Sequence, residues 1–584
     1  MRKIYGYILA MAIMCFSFNG CDFLEAPPTV EMNEDDVFAD RTLCEKFITG
    51  IYAEGMPLGF SMDDSSTDRL LYGTSTHGGS CDEAESGTQW DRHQGWNTNS
   101  LNSSEIEWAE DPRVHLRWKT IRKCNILLER IDEVPYDPGD AGFNSRAKGE
   151  GHFMRALVFW EGVYRSGGLP IVDHRITGSE SGKYPRNPFG ECVDFIIADC
   201  DEAAKCLPDK YTNPTLVGRA TRIAALALKA RVLLYAASPL FNTDSPYRSL
   251  GGENDRLLGY ADYDINRWKK AADAAKEAID AAREAGYKLY DSKSAEENYE
   301  YVWTTPDNEE IILANKKYRN FSVRNKPIVA DIPEWAGANW GDNAGLMATM
   351  NLVMKYEKKD GTPQEWNMDG GNDLMRKYSE LDPRFEQTIA HHGAVWNNDI
   401  GTINFLEGGK QYLKTDKTRH LVRKWVPRTL RSMSPFNTVN VDWIVFRMAE
   451  LYLNYAEALN EWQGPTTEAY DAVAKVRARS GMPAFPEGLS QEEFREKLRN
   501  ERAVELAFED HRFWDIRRWL IAGNEGVMRG NFYGMKISSI PGSEEIHYDI
   551  YVFETRLWSD RSYLNPIPQE EVNKGYILQN PGWE

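Results

Sequence analysis

Two stretches of this chain set tryptophan among small, amide and charged residues. Trp90 and Trp96 lie between Cys81 and Asn97, with Asp82, Glu83, Gln89, Asp91, Arg92 and Gln94 close by. Trp335 and Trp340 lie between Pro333 and Asp342, where Ala336, Gly337, Ala338 and Gly341 leave ring faces open, and Arg324 precedes them. Flat indole faces that cover C–H groups, beside carboxylates, amides or guanidinium groups that bond hydroxyls, are suited to sugars. Trp90, Trp96, Trp335 and Trp340 are therefore the first candidates for glycan contact, with Asp82, Glu83 and Arg324 as polar partners. Trp366 and Trp396 rank behind them. The same rings would serve equally to plug a long loop onto a scaffold.

Covalent chemistry has no comparable signature. No HExxH, GxSxG, GxGxxG or Walker pattern occurs. A glycosidase needs two carboxylates about 5–10 Å apart across a cleft, and among 89 Asp and Glu nothing singles out such a pair. His391 and His392 are adjacent, so their side chains diverge on a helix or strand. Asp63, Asp64 and Asp68, or Asp369 with Asp373, lack a full calcium-loop pattern. Cys44, Cys81, Cys124, Cys192, Cys200 and Cys206 include no CxxC pair, which argues against zinc and favours buried thiols. The expectation is a binding protein and not an enzyme, with no metal or cofactor.

The elements that must position such loops are amphipathic helix pairs. Apolar spacing predicts helices over 37–52 and 113–131, then 147–165 and 189–206, then 221–237 and 265–285. The last of these carries an alanine stripe at Ala271, Ala274, Ala275, Ala278 and Ala282. A fourth pair begins with Ile444, Met448, Leu451, Tyr455 and Leu459, turns at Gly464-Pro465, and continues through Ala469, Val473 and Val476. Glu450 to Pro483 spans 34 residues, the tetratricopeptide period. Two further helices are expected over 491–509 and 511–522. Trp118, Trp160, Trp268, Trp443, Trp462, Trp514 and Trp519 fall on expected helices and read as packing residues. Between 292 and 440, Gly, Asn, Asp and Trp become frequent and short runs such as 310–314 could be strands.

The N-terminus reads as an export signal. Arg2 and Lys3 precede an apolar run to Phe18 that is short for a bilayer span. It ends Phe18-Asn19-Gly20-Cys21, similar to a bacterial lipobox, so residues 1–20 are expected to be a signal peptide and Cys21 a lipidated first residue. Residues 21–36 carry Pro27, Pro28 and several acids and read as a tether. The 584-residue sequence as a whole has 42% hydrophobic and 12% aromatic residues, enough for a large core. Its formal charge of −20 argues against nucleic acid, which needs a basic face.

Several blocks resemble, in order, the SusD/RagB family of Bacteroidetes surface nutrient-binding lipoproteins. They are Cys21-Asp22-Phe23-Leu24-Glu25, Arg155-Ala156 with Gly167-Gly168-Leu169-Pro170, and Gly218-Arg219-Ala220-Thr221 leading to Lys229-Ala230-Arg231. Later come Arg447-Met448-Ala449-Glu450-Leu451, Arg499-Asn500-Glu501-Arg502 running to Glu509, and Pro566-Ile567-Pro568 with Gln579-Asn580-Pro581-Gly582. The resemblance implies a mainly α, SusD-like fold with four tetratricopeptide-like helix pairs and an irregular, partly β ligand-binding portion. It implies one domain over 37–584: scaffold at 37–290 and 443–522, an insertion at 292–440 and a tail at 523–584. It also implies an oligosaccharide or polysaccharide ligand, a SusC-like TonB-dependent transporter as partner, and a surface-exposed outer-membrane location through a lipid anchor. Arg447, Glu450, Glu457, Arg502, Glu505 and Glu509 are expected to form ion pairs along their helices. A peptide- or protein-binding member of the same fold is the alternative, and a secreted hydrolase the less favoured one.

Overall fold

Local capping chemistry sets where the helices begin. Expectation placed one helix over 37–52, but Asp40 is extended and its carboxylate accepts from Leu43 N, so the chain breaks there. A short helix, Glu34–Ala39, precedes it, closed by a capping box between Asn33 and Asp36. The computed structural model describes residues 33–57, 77–87, 94–111, 113–178, 180, 182–316, 321–322, 346–398, 400–426, 438–439 and 441–584. Cys21, Trp90, Arg324, Trp335 and Trp340 lie outside the described residues.

The scaffold helices are α1 (Arg41–Gly55), α2 (Val114–Arg130), α3 (Phe143–Ser166), α4 (Phe189–Cys206), α5 (Arg222–Ala237), α6 (Asn266–Glu284), α7 (Met448–Gln463) and α8 (Thr467–Arg479). Each packs on the next in that order, with α6 directly against α7. These are the expected helix pairs, and the stack continues across the insertion as if those residues were absent. Small residues permit the close contacts. The stripe Ala271, Ala274, Ala275, Ala278 and Ala282 is buried, and a Cβ on Gly149 of α3 would lie 2.7 Å from Leu207. Two more helices follow, α9 (Gln491–Glu505), which packs on α7, and α10 (Arg512–Arg518), which packs on the short helix His77–Ser80.

The principal strands are β1 (Ala84–Ser86), β2 (Ile311–Asn315), β3 (Leu346–Ala348), β4 (Ile389–His391), β5 (His420–Val422), β6 (Trp443–Arg447), β7 (Gly530–Ser539) and β8 (Ile546–Arg556), with four other short ones among the described residues. One small sheet has the order β1-β3-β5-β4, and β2 pairs antiparallel with β6. One sequence expectation is corrected here. Trp443 and Ile444 are expected in a helix, yet Trp443–Arg447 is a buried strand, as its aromatic and β-branched run favours. Within 523–584, to which the sequence reading assigned no elements, lies the β7–β8 hairpin, whose buried face carries Phe532, Met535, Tyr548 and Ile550.

Buried charge joins the insertion to the scaffold. Arg447, which caps α7, donates to Glu310 at 2.8 Å, Glu505 at 2.7 Å and Glu509 at 2.7 Å. Glu505 also meets Arg384 at 2.9 Å and Arg479. Burial alone would raise the Glu505 carboxyl, but Arg479, Arg447 and Arg384 hold it well below the usual range. The expected ion pairs exist, although they cross between elements instead of running along one helix. Glu450 pairs with Arg231 at 2.6 Å, Glu457 with Arg518 at 2.5 Å, and Arg502 with Asp515 at 3.0 Å.

Candidate functional site

Two hydrogen-bonded junctions gather the chain ends that flank the candidate loops. At the first, Asn315 Nδ2 donates to Met56 O at 3.3 Å and Pro57 O at 3.1 Å. Asn315 also faces Trp443 across the β2–β6 ladder. Met56 and Pro57, the end of β2 at Asn315 and the start of β6 at Trp443 are thus held together. At the second junction Ser86 pairs with Leu346, at the end of the β1–β3 ladder where β1 leaves and β3 enters. Trp90 follows Ser86 by four positions and Trp340 precedes Leu346 by six. Gln94 Nε2 donates to Glu85 Oε1 at 2.9 Å, so both flanks of residues 88–93 are tied to one another.

Burial and opposite charge fix these junctions. Arg512 of α10 donates to both oxygens of Asp82, at 2.8 and 2.7 Å, and Lys355 lies 3.3 Å from the same carboxylate. Burial would raise Asp82, but Arg512 and Lys355 bring it down to about 2. Glu85 pairs with Arg556 at 2.7 Å and Lys417 at 3.1 Å. Among the described residues no Lys or Arg forms an ion pair with Glu83. It accepts from Phe508 N at 2.9 Å, and burial pushes it up to about 8 despite that hydrogen bond, with Arg512 and Lys424 lowering it only in part. His77 sits between Asp510 at 2.5 Å and Glu110 at 3.0 Å. Burial opposes its charged form, but the two carboxylates raise it to about 9.

These shifts set an alkaline limit. His77, raised from 6.5 to about 9, contributes stability that is complete below pH 6.5 and lost as pH rises through 9. Glu83, raised from 4.5 to about 8, favours folding while protonated, an advantage complete below pH 4.5 and lost by about pH 8. The melting temperature should therefore fall from pH 6.5 to 9. Glu83→Gln keeps an acceptor for Phe508 N–H and cannot ionise, so its melting temperature should exceed that of the wild type at pH 8 and depend less on pH. Parallel curves for the two proteins would show that Glu83 does not set this limit.

The described candidates are scaffold, not exposed platforms, and this corrects the expectation for three of them. Trp96 is 5% exposed; its ring meets Phe513 edge-on at 5.5 Å and Trp583 at 6.4 Å, with Arg517 over it at 5.2 Å. Asp82 and Glu83 are each 1% exposed. All three hold the stems of the loops instead of facing solvent. Trp396 is buried, and Trp366 packs edge-on against Tyr548 at 6.0 Å. His391 is tied to Glu386 at 2.8 Å and to the neighbouring carbonyl of His392, while Asp373 pairs with Arg376.

Sequence reasoning missed a concavity on the scaffold. It is a groove of about 850 Å³ along α2, walled by Trp118, Tyr184 and Tyr576 and rimmed by His115, Arg122 and Lys574. Trp118 had been grouped with the packed tryptophans, and only half of that holds: the ring is half-buried and borders the groove. Its walls come from residues nearly 460 positions apart, so no local pattern announces it.

Comparison with known proteins agrees with this architecture. Residues 299–583 match the model described as the SusD family, and residues 22–234 match one described as starch-binding associating with outer membrane. SusD-like protein P25 of Formosa agariphila is 44% identical over 412 residues, covering 69% of this chain and 68% of that protein. SusD-like protein P2 of the same organism is 22% identical over 589 residues, 99% of each chain. Among solved structures, a SusD-like protein from Bacteroides fragilis superposes with a TM-score of 0.74 at 29% identity, over 94% of this chain and 99% of the other. A laminarin binding SusD-like protein shares the fold with a TM-score of 0.58 at 20% identity, over 93% and 100%. Among the described residues, no helix is long and apolar enough to cross a membrane.

Proposed function

We propose, for a chain that belongs to the SusD family, that it captures glycan fragments at the cell surface and delivers them to a SusC-like, TonB-dependent outer-membrane transporter. The observation that carries the binding half of this reading is the pairing of Ser86 with Leu346. That pairing sets the end of β1, four positions before Trp90 in the sequence, beside the start of β3, six positions after Trp340. Two tryptophan-bearing segments rooted side by side suit a sugar chain that needs stacking at more than one residue. The laminarin-binding neighbour and the family description of starch binding support the same ligand class.

The mechanism needs no covalent step. Ligand would bind one arrangement of protein over transporter more tightly than another and shift the balance between open and closed lid states. Lipidation of Cys21 would hold the chain at the outer membrane, since each buried methylene contributes about 0.8 kcal/mol. The test is retention of the purified chain on a panel of immobilised polysaccharides and peptides, with soluble fragments analysed for length. Retention by at least one glycan, with fragments recovered intact, is expected. Retention by peptides alone, or shortened fragments, would overturn the reading. For delivery, the lipidated chain should co-purify from outer membranes with a large β-barrel protein.

A further inference from the structure

Glu107 and His115, which line the α2 groove, meet Glu570 from a third element. His115 stands in the first turn of α2, Glu107 in the short helix Ile106–Ala109 and Glu570 in the short helix Gln569–Val572. His115 Nε2 lies 3.1 Å from Glu107 Oε2 and 3.8 Å from Glu570 Oε1, and one ligand atom from each residue lies within 4.8 Å of the others. We propose that these three side chains bind a divalent transition metal of the zinc class.

The donor set and its spacing support that choice. Tetrahedral zinc with bonds of about 2.0–2.1 Å places neighbouring donors about 3.3 Å apart. The observed 3.1 and 3.8 Å bracket this value, so small side-chain movements would complete the geometry. One imidazole with two carboxylates suits zinc or a neighbouring transition metal; calcium and magnesium favour all-oxygen shells. The Glu107 side chain is 24% exposed and bonds His115 through Oε2, while its Oε1 has no hydrogen-bond partner among the described residues; a cation held by both oxygens would satisfy the second as well.

The backbone already holds the donors in place. Gln569 N donates to Ser103 O at 3.1 Å, and Ser103 Oγ donates to Gln569 Oε1 at 2.7 Å, tying the C-terminal short helix to the turn before Ile106. Arg117, two residues after His115, holds Asp111 through paired hydrogen bonds at 2.9 Å. Three protein ligands leave a coordination position open for water or a groove ligand. The spacing of 8 residues from Glu107 to His115 and 455 from there to Glu570 fits no short metal motif, which is why sequence reading expected no metal.

The test uses the full, untagged chain freed of metal with a chelator and titrated with zinc chloride by calorimetry. One equivalent should bind. His115→Ala and Glu570→Gln should each weaken binding about tenfold or more, while their melting temperatures in chelator stay at the wild-type value, because both side chains are largely exposed. Cobalt(II) should give the visible absorption of a four-coordinate site, lost in His115→Ala. Magnesium and calcium should not compete. No zinc binding by the wild type, or unchanged binding and cobalt spectra in His115→Ala, would overturn the proposal.

Discussion

Arg447→Ala should destabilise the protein by about 3–5 kcal/mol, the range for removing one partner of a buried ion pair. Arg447 is 2% exposed and serves Glu310, Glu505 and Glu509 at once. Its loss leaves Arg479, Arg384 and Lys424 to balance a cluster of buried carboxylates. The Lys424 ammonium already donates to Tyr299 Oη, Ala507 O and Glu509 Oε1, so it is not placed to reach Glu310 and Glu505 as Arg447 does. A chain of this size is not expected to unfold in two states, so the readout is the first thermal or urea transition. Arg447→Lys, which restores charge but not the forked geometry, should recover part of the loss. A shift in Arg447→Ala equivalent to less than about 1 kcal/mol would show that the network contributes little.

Asp82→Ala should be nearly as damaging and should also weaken ligand binding without any contact to ligand. The substitution leaves Arg512 buried without its bidentate partner and Lys355 without its carboxylate, again about 3–5 kcal/mol by the same reasoning. It differs from Arg447→Ala in location. Asp82 lies two residues before β1, whose end at Ser86 pairs with Leu346. Loosening it should let the roots of the two tryptophan-bearing segments separate, so glycan affinity should fall even at temperatures where the scaffold remains folded. Asp82→Asn keeps the shape but not the charge and should fall between the two. Helical circular dichroism together with binding separates the effects: retained helix with wild-type affinity would show that this stem does not position the site.

Much of the scaffold could be read because its signals are local. The alanine stripe of α6 and the 34-residue spacing from Glu450 to Pro483 both mark helices that pack as expected. Errors arose where a short signal competed with a longer one. Asp40 ended a run that apolar spacing alone would have continued. Trp443–Arg447 was absorbed into the following helix, although its aromatic and β-branched residues favour a strand. The hairpin was also legible, since Pro541-Gly542 separates two alternating runs.

Site residues were harder to read because burial is a long-range property. Trp96, Asp82 and Glu83 sit in polar, glycine-containing sequence that looks exposed. Their partners, Phe513, Trp583, Arg512 and Phe508, lie more than 400 positions away. Glu107, His115 and Glu570 could not be brought together from the sequence because 455 positions separate His115 from Glu570. A loop-like sequence tells which residues are free of periodic packing; it does not tell which of them a distant helix will cover.

Capture of glycan by the tryptophan-bearing segments is tested most directly by calorimetric titration of the retained oligosaccharide into wild type, Trp90→Ala, Trp335→Ala and Trp340→Ala. Removing an aromatic anchor from a binding surface typically costs about 2 kcal/mol or more, so at least Trp90→Ala and one of the other two should bind more than about tenfold more weakly, with unchanged melting temperatures. Wild-type affinity in all three variants would contradict this assignment.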